Sequence, residues 1–458
     1  MEDMKNGKRS SFSGKLGYVL AAAGASVGLG NIWRFPYLAA KYGGGIFLII
    51  YIVLALTFGY TMIVAETAIG RMTRKSPVGA FKSFGKKKWL SFGGWINAVI
   101  PVLIVPYYSV IGGWVIKYLV EYFRGNAKQL AEDGYFTDFI SNGVSTELCF
   151  VVFCAFTLII IFAGVQNGIE RVSKIMMPIL IVLSVIIAVY SVTRPGALAG
   201  VKYFLVPNVK NFSWMTVVSA MGQMFYSLSI AMGILITFGS YMKKDTAIED
   251  STRNVEIFDT GIAIMAGLMI IPAVFAFSGG DPDTLQAGPS LMFITIPKVF
   301  QNMGFGTVIG IVFFLLVLFA AVTSSIALTE SAVSTFEDEL GWGRKKATVL
   351  VGVIMLALGS LSSLGYGPLA GIKIIGMQFL DLFDFLTNSV MMPIAALLTS
   401  LLVSRVVGID KIEEEIIHGE SAFRRKKVFV VMIKYLCPVF AIIILLSSVA
   451  NALGWIKM

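Results

Sequence analysis

Runs of about 20 apolar residues recur along the chain between short polar connections, and a helix needs a run of that length to cross a bilayer. Hydrocarbon offers no partner to a backbone amide or carbonyl, so such runs must satisfy their own hydrogen bonds, as a helix does. Eleven are read, at roughly 15–37, 46–70, 92–123, 147–165, 171–193, 214–242, 255–279, 306–337, 347–363, 376–403 and 429–456. The chain is therefore expected to be an all-α polytopic membrane protein, one transmembrane domain over residues 1–458. Its charged fraction, 14%, lies well below the quarter or so typical of soluble domains, and 57% of its residues are hydrophobic.

The charges give the orientation. Lys and Arg crowd the N-terminus (Lys5, Lys8, Arg9, Lys15) and the second connection (Arg71, Arg74, Lys75, Lys82, Lys86, Lys87, Lys88). They recur after runs 4, 6, 8 and 10, as Arg171/Lys174, Lys243/Lys244/Arg253, Arg344/Lys345/Lys346 and Arg424–Lys427. Basic connections stay in the cytoplasm, so the N-terminus is placed inside and an odd number of spans puts the C-terminus outside the cell membrane. The net charge of +10 thus describes a membrane face rather than a nucleic-acid partner. Residues 1–15 are polar and basic, and the run behind them is too long for a signal-peptide core, so no cleavable signal is expected. Cys149, Cys154 and Cys437 lie in apolar runs without metal-ligand spacing, and the single histidine, His418, sits in a charged connection. Connections 124–146 and 280–305 have the length for interfacial structure, and 408–423 reads as a short surface helix on the cytoplasmic side.

Within the first run, Gly24 to Pro36 reads G-A-S-V-G-L-G-N-I-W-R-F-P, and a smooth helix does not favour it. Each interior glycine costs about 1 kcal/mol of helix propensity. Irregular backbone survives at membrane depth only where protein buries it or it lines a cavity. Gly24 and Gly28 would equally suit close helix packing, and on this stretch alone the two readings are even. The sixth run changes the balance. Its middle, Ser227-Leu228-Ser229-Ile230-Ala231-Met232-Gly233, is again small and polar. Interruptions at corresponding places in two halves point to a transport site near the midplane. Repeats of five helices, about 15–193 and 214–403, with an extra helix at 429–456, follow.

Other polar residues at membrane depth need partners: Glu66, Asp259, Thr323-Ser324-Ser325 and Asp384. The bland alternative for the hydroxyl run is bonding back to its own helix, and for Asp381 it is interfacial solvation, which is the reading taken for that residue. Gly168 and Pro178 in the fifth run suit either a local unwinding or an ordinary kink. Nothing resembles a nucleophile–base pair or a phosphate loop, so no enzyme is expected.

The motifs resemble the neurotransmitter:sodium symporters, in particular the bacterial amino-acid branch that includes the leucine transporter. They are G-x-x-V-G-L-G-N-x-W-R-F-P, G-G-G-x-F, E-x-A-x-G-R at Glu66–Arg71, Tyr107-Tyr108, G-Q-x-F-x-S-L-S, T-S-S-I-A at Thr323–Ala327 and F-E-D-E-L at Phe336–Leu340. The resemblance implies five helices plus five in inverted repeat, broken helices 1 and 6, and sodium-coupled symport of an amino acid. It also implies two sodium ions. Site 1 would use the Ser26 carbonyl with Asn31, Ser227 and Asp259, and site 2 the carbonyls of Gly24, Val27 and Ala320 with the hydroxyls of Thr323 and Ser324.

By the same resemblance, the substrate would lie among Ser26, Gly28, Leu29, Gly30, Ile104, Tyr108, Tyr226, Ser227, Ser229, Met232, Ser324 and Leu328. Its carboxylate would meet the amides near Gly28–Gly30 and the Tyr108 hydroxyl. The outer gate would pair Arg34 with Asp384, under a lid of Tyr108 and Tyr226. The inner gate would pair Arg9 with Asp338, beside Phe12 and Tyr241.

Departures from the family pattern are informative. Gly28 stands where monoamine members carry an aspartate, which argues for amino acids as substrates. Asp259 stands where many members have asparagine, and a fixed carboxylate could replace the chloride other members bind, so chloride-independent transport is expected. Tyr226 and Met232 replace two phenylalanines, which suits a hydrophobic or aromatic substrate, since methionine repacks readily. Phe12 stands for a tryptophan, and Ala231 for a glycine in the second break. A sensor or an ion channel on the same scaffold, without coupled uptake, is the alternative. The identity of the amino acid, the stoichiometry and the oligomeric state are not encoded in these motifs.

Overall fold

The computed structural model describes residues 9–279, 288–452 and 455. The basic residues Lys5 and Lys8, and part of the 280–305 connection, lie outside the described residues. Among the described residues, nine helices are long and apolar enough to cross a membrane: Gly45–Thr73, Lys88–Phe123, Gly143–Phe162, Val165–Val192, Ile248–Ser278, Gly306–Leu340, Arg344–Leu364, Phe379–Val407 and Lys426–Asn451. Two more spans are interrupted. Lys15–Ser26 and Gly30–Lys41 form one span bent by 52°, and Trp214–Ser227 and Ile234–Tyr241 flank a second break. Nine helices and the bent pair make ten by length and composition, and with Trp214–Ser227 and Ile234–Tyr241 taken together as a further one they are numbered here as spans 1 to 11 in chain order.

The breaks fall where the small residues are. Val27 takes an extended conformation after Ser26 and ends the first half of span 1. In span 6 the backbone turns left-handed three times, at Ser229 (φ 52°), Ala231 (φ 58°) and Gly233 (φ 72°). Only the last is cheap, because a left-handed conformation crowds Cβ against the backbone in any residue but glycine.

Both halves of span 1 pack against span 7, and its first half also touches spans 5 and 8. The second half of span 6 lies along span 2. The broken helices therefore sit in the middle of the bundle, while spans 4, 5 and 9 carry exposed apolar side chains along their length, such as Leu148, Ile175 and Val353.

Sequence and structure differ at the connections. Span 5 starts at Val165, separated from span 4 only by Ala163 and Gly164, so the Gly168 turn belongs to the span itself. Helices Pro77–Lys82 and Ala197–Leu205 lie in the connections after spans 2 and 5. The expected surface helix is present as Ile409–Ile417.

Candidate functional site

The freed backbone groups of each break are satisfied by side chains of the other. Ser229 Oγ donates to the Ala25 carbonyl at 2.9 Å, and Gln223 Nε2 to the Gly30 carbonyl at 3.0 Å. In return Ser26 Oγ donates to the Leu228 carbonyl at 3.3 Å. The Ala231 amide donates to Glu66 Oε1 at 2.7 Å, from span 2. Buried backbone groups demand such partners, and these breaks meet the demand with small polar side chains rather than with helix.

A small cavity of about 30 Å³ lies between the breaks, lined by Ala25, Ser26, Gly28, Leu29, Gly30, Asn31, Ile104, Tyr108, Tyr226, Ser229, Met232, Ser324 and Leu328. All the residues expected around the substrate are in this lining except Ser227. Ser227 turns away: its hydroxyl donates to Asp259 Oδ1 at 2.9 Å. On the span 1 side, the Leu29 amide points to Tyr108 Oη at 3.3 Å and the Gly28 amide to Asn31 Oδ1 at 3.3 Å. No Cβ fits at Gly28 without displacement, since it would sit 2.7 Å from Ser324 Oγ and 3.1 Å from Tyr108 Oη.

Around Asp259, wholly buried in span 7, three neutral donors converge. Asn31 Nδ2 donates to Oδ1 at 2.8 Å, Ser227 Oγ to Oδ1 at 2.9 Å, and Tyr51 Oη to Oδ2 at 2.9 Å. Asn31 and Ser227, two of the residues expected at sodium site 1, thus meet at a third, Asp259. The expectation omitted Tyr51. Its signal was present in the sequence: a hydroxyl in the middle of I-I-Y-I-V has to find a buried partner.

The residues expected at site 2 also converge. Ser324 Oγ lies 3.3, 3.1 and 3.5 Å from the carbonyl oxygens of Gly24, Ala25 and Val27. Thr323 Oγ1 bonds back to Phe319 at 3.0 Å and to Ala320 at 3.2 Å, the bland behaviour of a helical threonine, and this also sets its hydroxyl beside the Ala320 carbonyl. A Cβ at Gly24 would sit 3.1 Å from Thr323 Cβ, so close packing and the break coexist in span 1. These donors are hydroxyl and carbonyl oxygens, the set a hard alkali cation takes.

The two faces differ. On one face, Arg9 pairs with Asp338 and donates to Ser334 Oγ at 2.7 Å. Phe12 packs edge-on against Tyr18, Phe238 and Tyr241. Burial alone would lower the Arg9 pKa, but Tyr241 and the carboxylates of Asp338, Glu337 and Glu330 hold it above its ordinary value. On the opposite face, Arg34 lies over the Tyr226 ring at 5.3 Å, while Asp384 accepts from Tyr107 Oη at 3.2 Å and Asn388 Nδ2 at 2.6 Å. Arg34 and Asp384, the expected outer pair, are thus each engaged with other groups. Asp381 is exposed, with Tyr366 Oη at 3.3 Å.

Comparison with known proteins gives the family. The model of the sodium:neurotransmitter symporter family matches residues 9–133 and 121–455. The Bacillus subtilis protein YhdH, described as a sodium-dependent transporter, is 34% identical over 97% of this chain and 99% of its own length. A sodium-dependent transporter of Methanocaldococcus jannaschii, MJ1319, is 32% identical over 89% of this chain and 84% of its own. The crystal structure of MhsT in complex with L-phenylalanine superposes with a TM-score of 0.86, at 34% identity, over 96% of this chain and all of MhsT. The chain belongs to the sodium:neurotransmitter symporter family. It is a multi-pass membrane protein that couples transport to sodium, and not an enzyme.

Proposed function

We propose that the protein carries an amino acid with a hydrophobic or aromatic side chain into the cell together with sodium, by alternating access and without chloride. The observation that carries this reading is the void between the two breaks. One wall offers the backbone amides of Gly28–Gly30 and the Tyr108 hydroxyl to a carboxylate. The other is built from Ile104, Tyr226, Met232 and Leu328, which suit an apolar side chain. MhsT, with L-phenylalanine bound, lends support. Gly28 leaves no carboxylate in the wall, so the substrate must bring its own.

Two sodium ions are carried with it. One is held by the Ser26 carbonyl with Asn31, Ser227 and Asp259, the other by the carbonyls of Gly24, Val27 and Ala320 with Thr323 and Ser324. Chloride is dispensable because the Asp259 carboxylate already takes the donors of Asn31, Ser227 and Tyr51, neutral groups of the kind that would hold an anion. Arg9–Asp338 with Phe12 and Tyr241 closes the inner face, and Arg34, Asp384, Tyr108 and Tyr226 close the outer one. The protein acts as a single domain in the cell membrane, its N-terminus cytoplasmic and its C-terminus outside.

The test is uptake of labelled leucine, phenylalanine, tyrosine and tryptophan by proteoliposomes, with competition by the other amino acids. Accumulation above the equilibrium level that vanishes without a sodium gradient, and persists when gluconate replaces chloride, is expected. Binding without accumulation would instead identify a sensor, and uptake that collapses in gluconate would overturn the role given to Asp259.

A further inference from the structure

Two cations on the surface of the bundle lie inside spans and have no counter-charge there. Lys434 stands in span 11, about 12 Å along the helix from Lys426, where that span begins. Arg405 stands in the last turn of span 10, which ends at Val407. Both are exposed, and neither forms a hydrogen bond or an ion pair with any described residue. Basic residues around the adjoining connections do find acids: Lys426 holds Glu413 at 2.5 Å, Arg425 holds Glu256 at 3.2 Å and Lys244 holds Glu415 at 2.7 Å. The exposed carboxylates of Asp410 and Glu414, on the surface helix Ile409–Ile417, pair with neither of the two cations.

Packing sets these cations on adjoining turns. The turn Leu402–Val407 of span 10, which carries Arg405, lies against the turn Met432–Leu436 of span 11, which carries Lys434. Lys427, also exposed and unpaired, lies two turns earlier on the same exposed stripe as Val431 and Lys434. Deeper in span 11 the stripe turns apolar, with Tyr435, Val439 and Ile442 all exposed. Tyrosines collect at the level of the lipid headgroups, and Tyr435 stands beside Lys434. A charge inside a span needs a partner, because hydrocarbon supplies none. A lysine stem can carry its ammonium partway toward the membrane surface, which here brings it to the headgroup layer.

We propose that the adjoining turns of spans 10 and 11 bind one anionic phospholipid, its phosphate between Arg405 and Lys434 and its acyl chains along Tyr435, Val439 and Ile442. Lys427 adds attraction from the membrane surface. The charge these side chains lack is the one an anionic headgroup carries, and basic sites between spans hold such headgroups. A second copy of this chain fits poorly, since a two-fold contact on this face would set the cations against their own counterparts. The site needs only the membrane placement of spans 10 and 11 and is independent of what the protein transports.

The test is native mass spectrometry of the delipidated full-length protein in detergent, titrated with phosphatidylglycerol or with phosphatidylcholine of the same acyl chains. A cation near an anionic membrane surface contributes roughly a fivefold factor, so one phosphatidylglycerol is expected to bind at least about tenfold more tightly than phosphatidylcholine. R405Q and K434Q should each raise its Kd about fivefold, and the double variant about 25-fold. K346Q, which removes an exposed charge from the start of span 9, should leave the Kd unchanged. Parental affinity in the double variant overturns the site. An equal loss in K346Q also overturns it, by making the attraction a matter of net charge. Displacement of the lipid by millimolar inorganic phosphate, or a dimer that the double variant dissociates, would overturn it in favour of a free anion or a second copy respectively.

Discussion

Gly28→Ala is the smallest change that tests how the void and the hydroxyl–carbonyl cluster depend on one another. The added methyl would start 2.7 Å from Ser324 Oγ and 3.1 Å from Tyr108 Oη, closer than carbon and oxygen pack. The easiest relief is rotation of Ser324, a short side chain with one torsion. That rotation withdraws its hydroxyl from the carbonyls of Gly24, Ala25 and Val27. Loss of the hydroxyl from three buried acceptors costs about 1–3 kcal/mol, or roughly a 5- to 150-fold weaker apparent affinity. If Tyr108 moves instead, the Leu29 amide loses its partner and substrate affinity falls by a similar factor. Initial uptake rates in proteoliposomes, measured against sodium and against substrate, separate these outcomes. A raised half-saturating sodium concentration indicates Ser324, and a raised KM at saturating sodium indicates Tyr108. Gly14→Ala is the control, since its Cβ would meet nothing within 4 Å. G28A transport with both constants unchanged would refute the reasoning.

Two further predictions concern the second break and Asp259. Ala231 holds a left-handed conformation at φ 58°, which costs a non-glycine residue about 1–2 kcal/mol. A231G relieves that cost but gains unfolded-state freedom of roughly 0.4–1 kcal/mol, so its thermal midpoint should stay level or rise by a few degrees. A231V should lower it clearly, and equal midpoints for the three proteins would contradict the backbone geometry. Asp259→Asn keeps the shape but removes the charge and turns one acceptor toward Ser227 or Tyr51 into a donor. It should raise the sodium requirement at least tenfold and bring a chloride dependence, read as uptake in chloride against gluconate; uptake indifferent to the anion would count against the assignment.

The sequence by itself determined the number and positions of the spans and the places where two of them break. Apolar run length is a local property matched to bilayer thickness, and clustered small and polar residues report locally that a helix cannot continue. Tertiary packing decided the rest. That Ser227 faces Asp259 rather than the void follows from how span 6 rotates against span 7, and no spacing within either span encodes it. Tyr51 joins the same cluster across more than 200 residues of chain. Arg34 rests on Tyr226 while Asp384 is held by Tyr107 and Asn388, because each long side chain takes the partner that packing brings nearest. Glu170 shows the division most clearly. In sequence it is one acid in a loop-like stretch after span 4; only the approach of span 5 to the entry of span 1 brings it onto Ser13 and into the space a side chain at Gly17 would need.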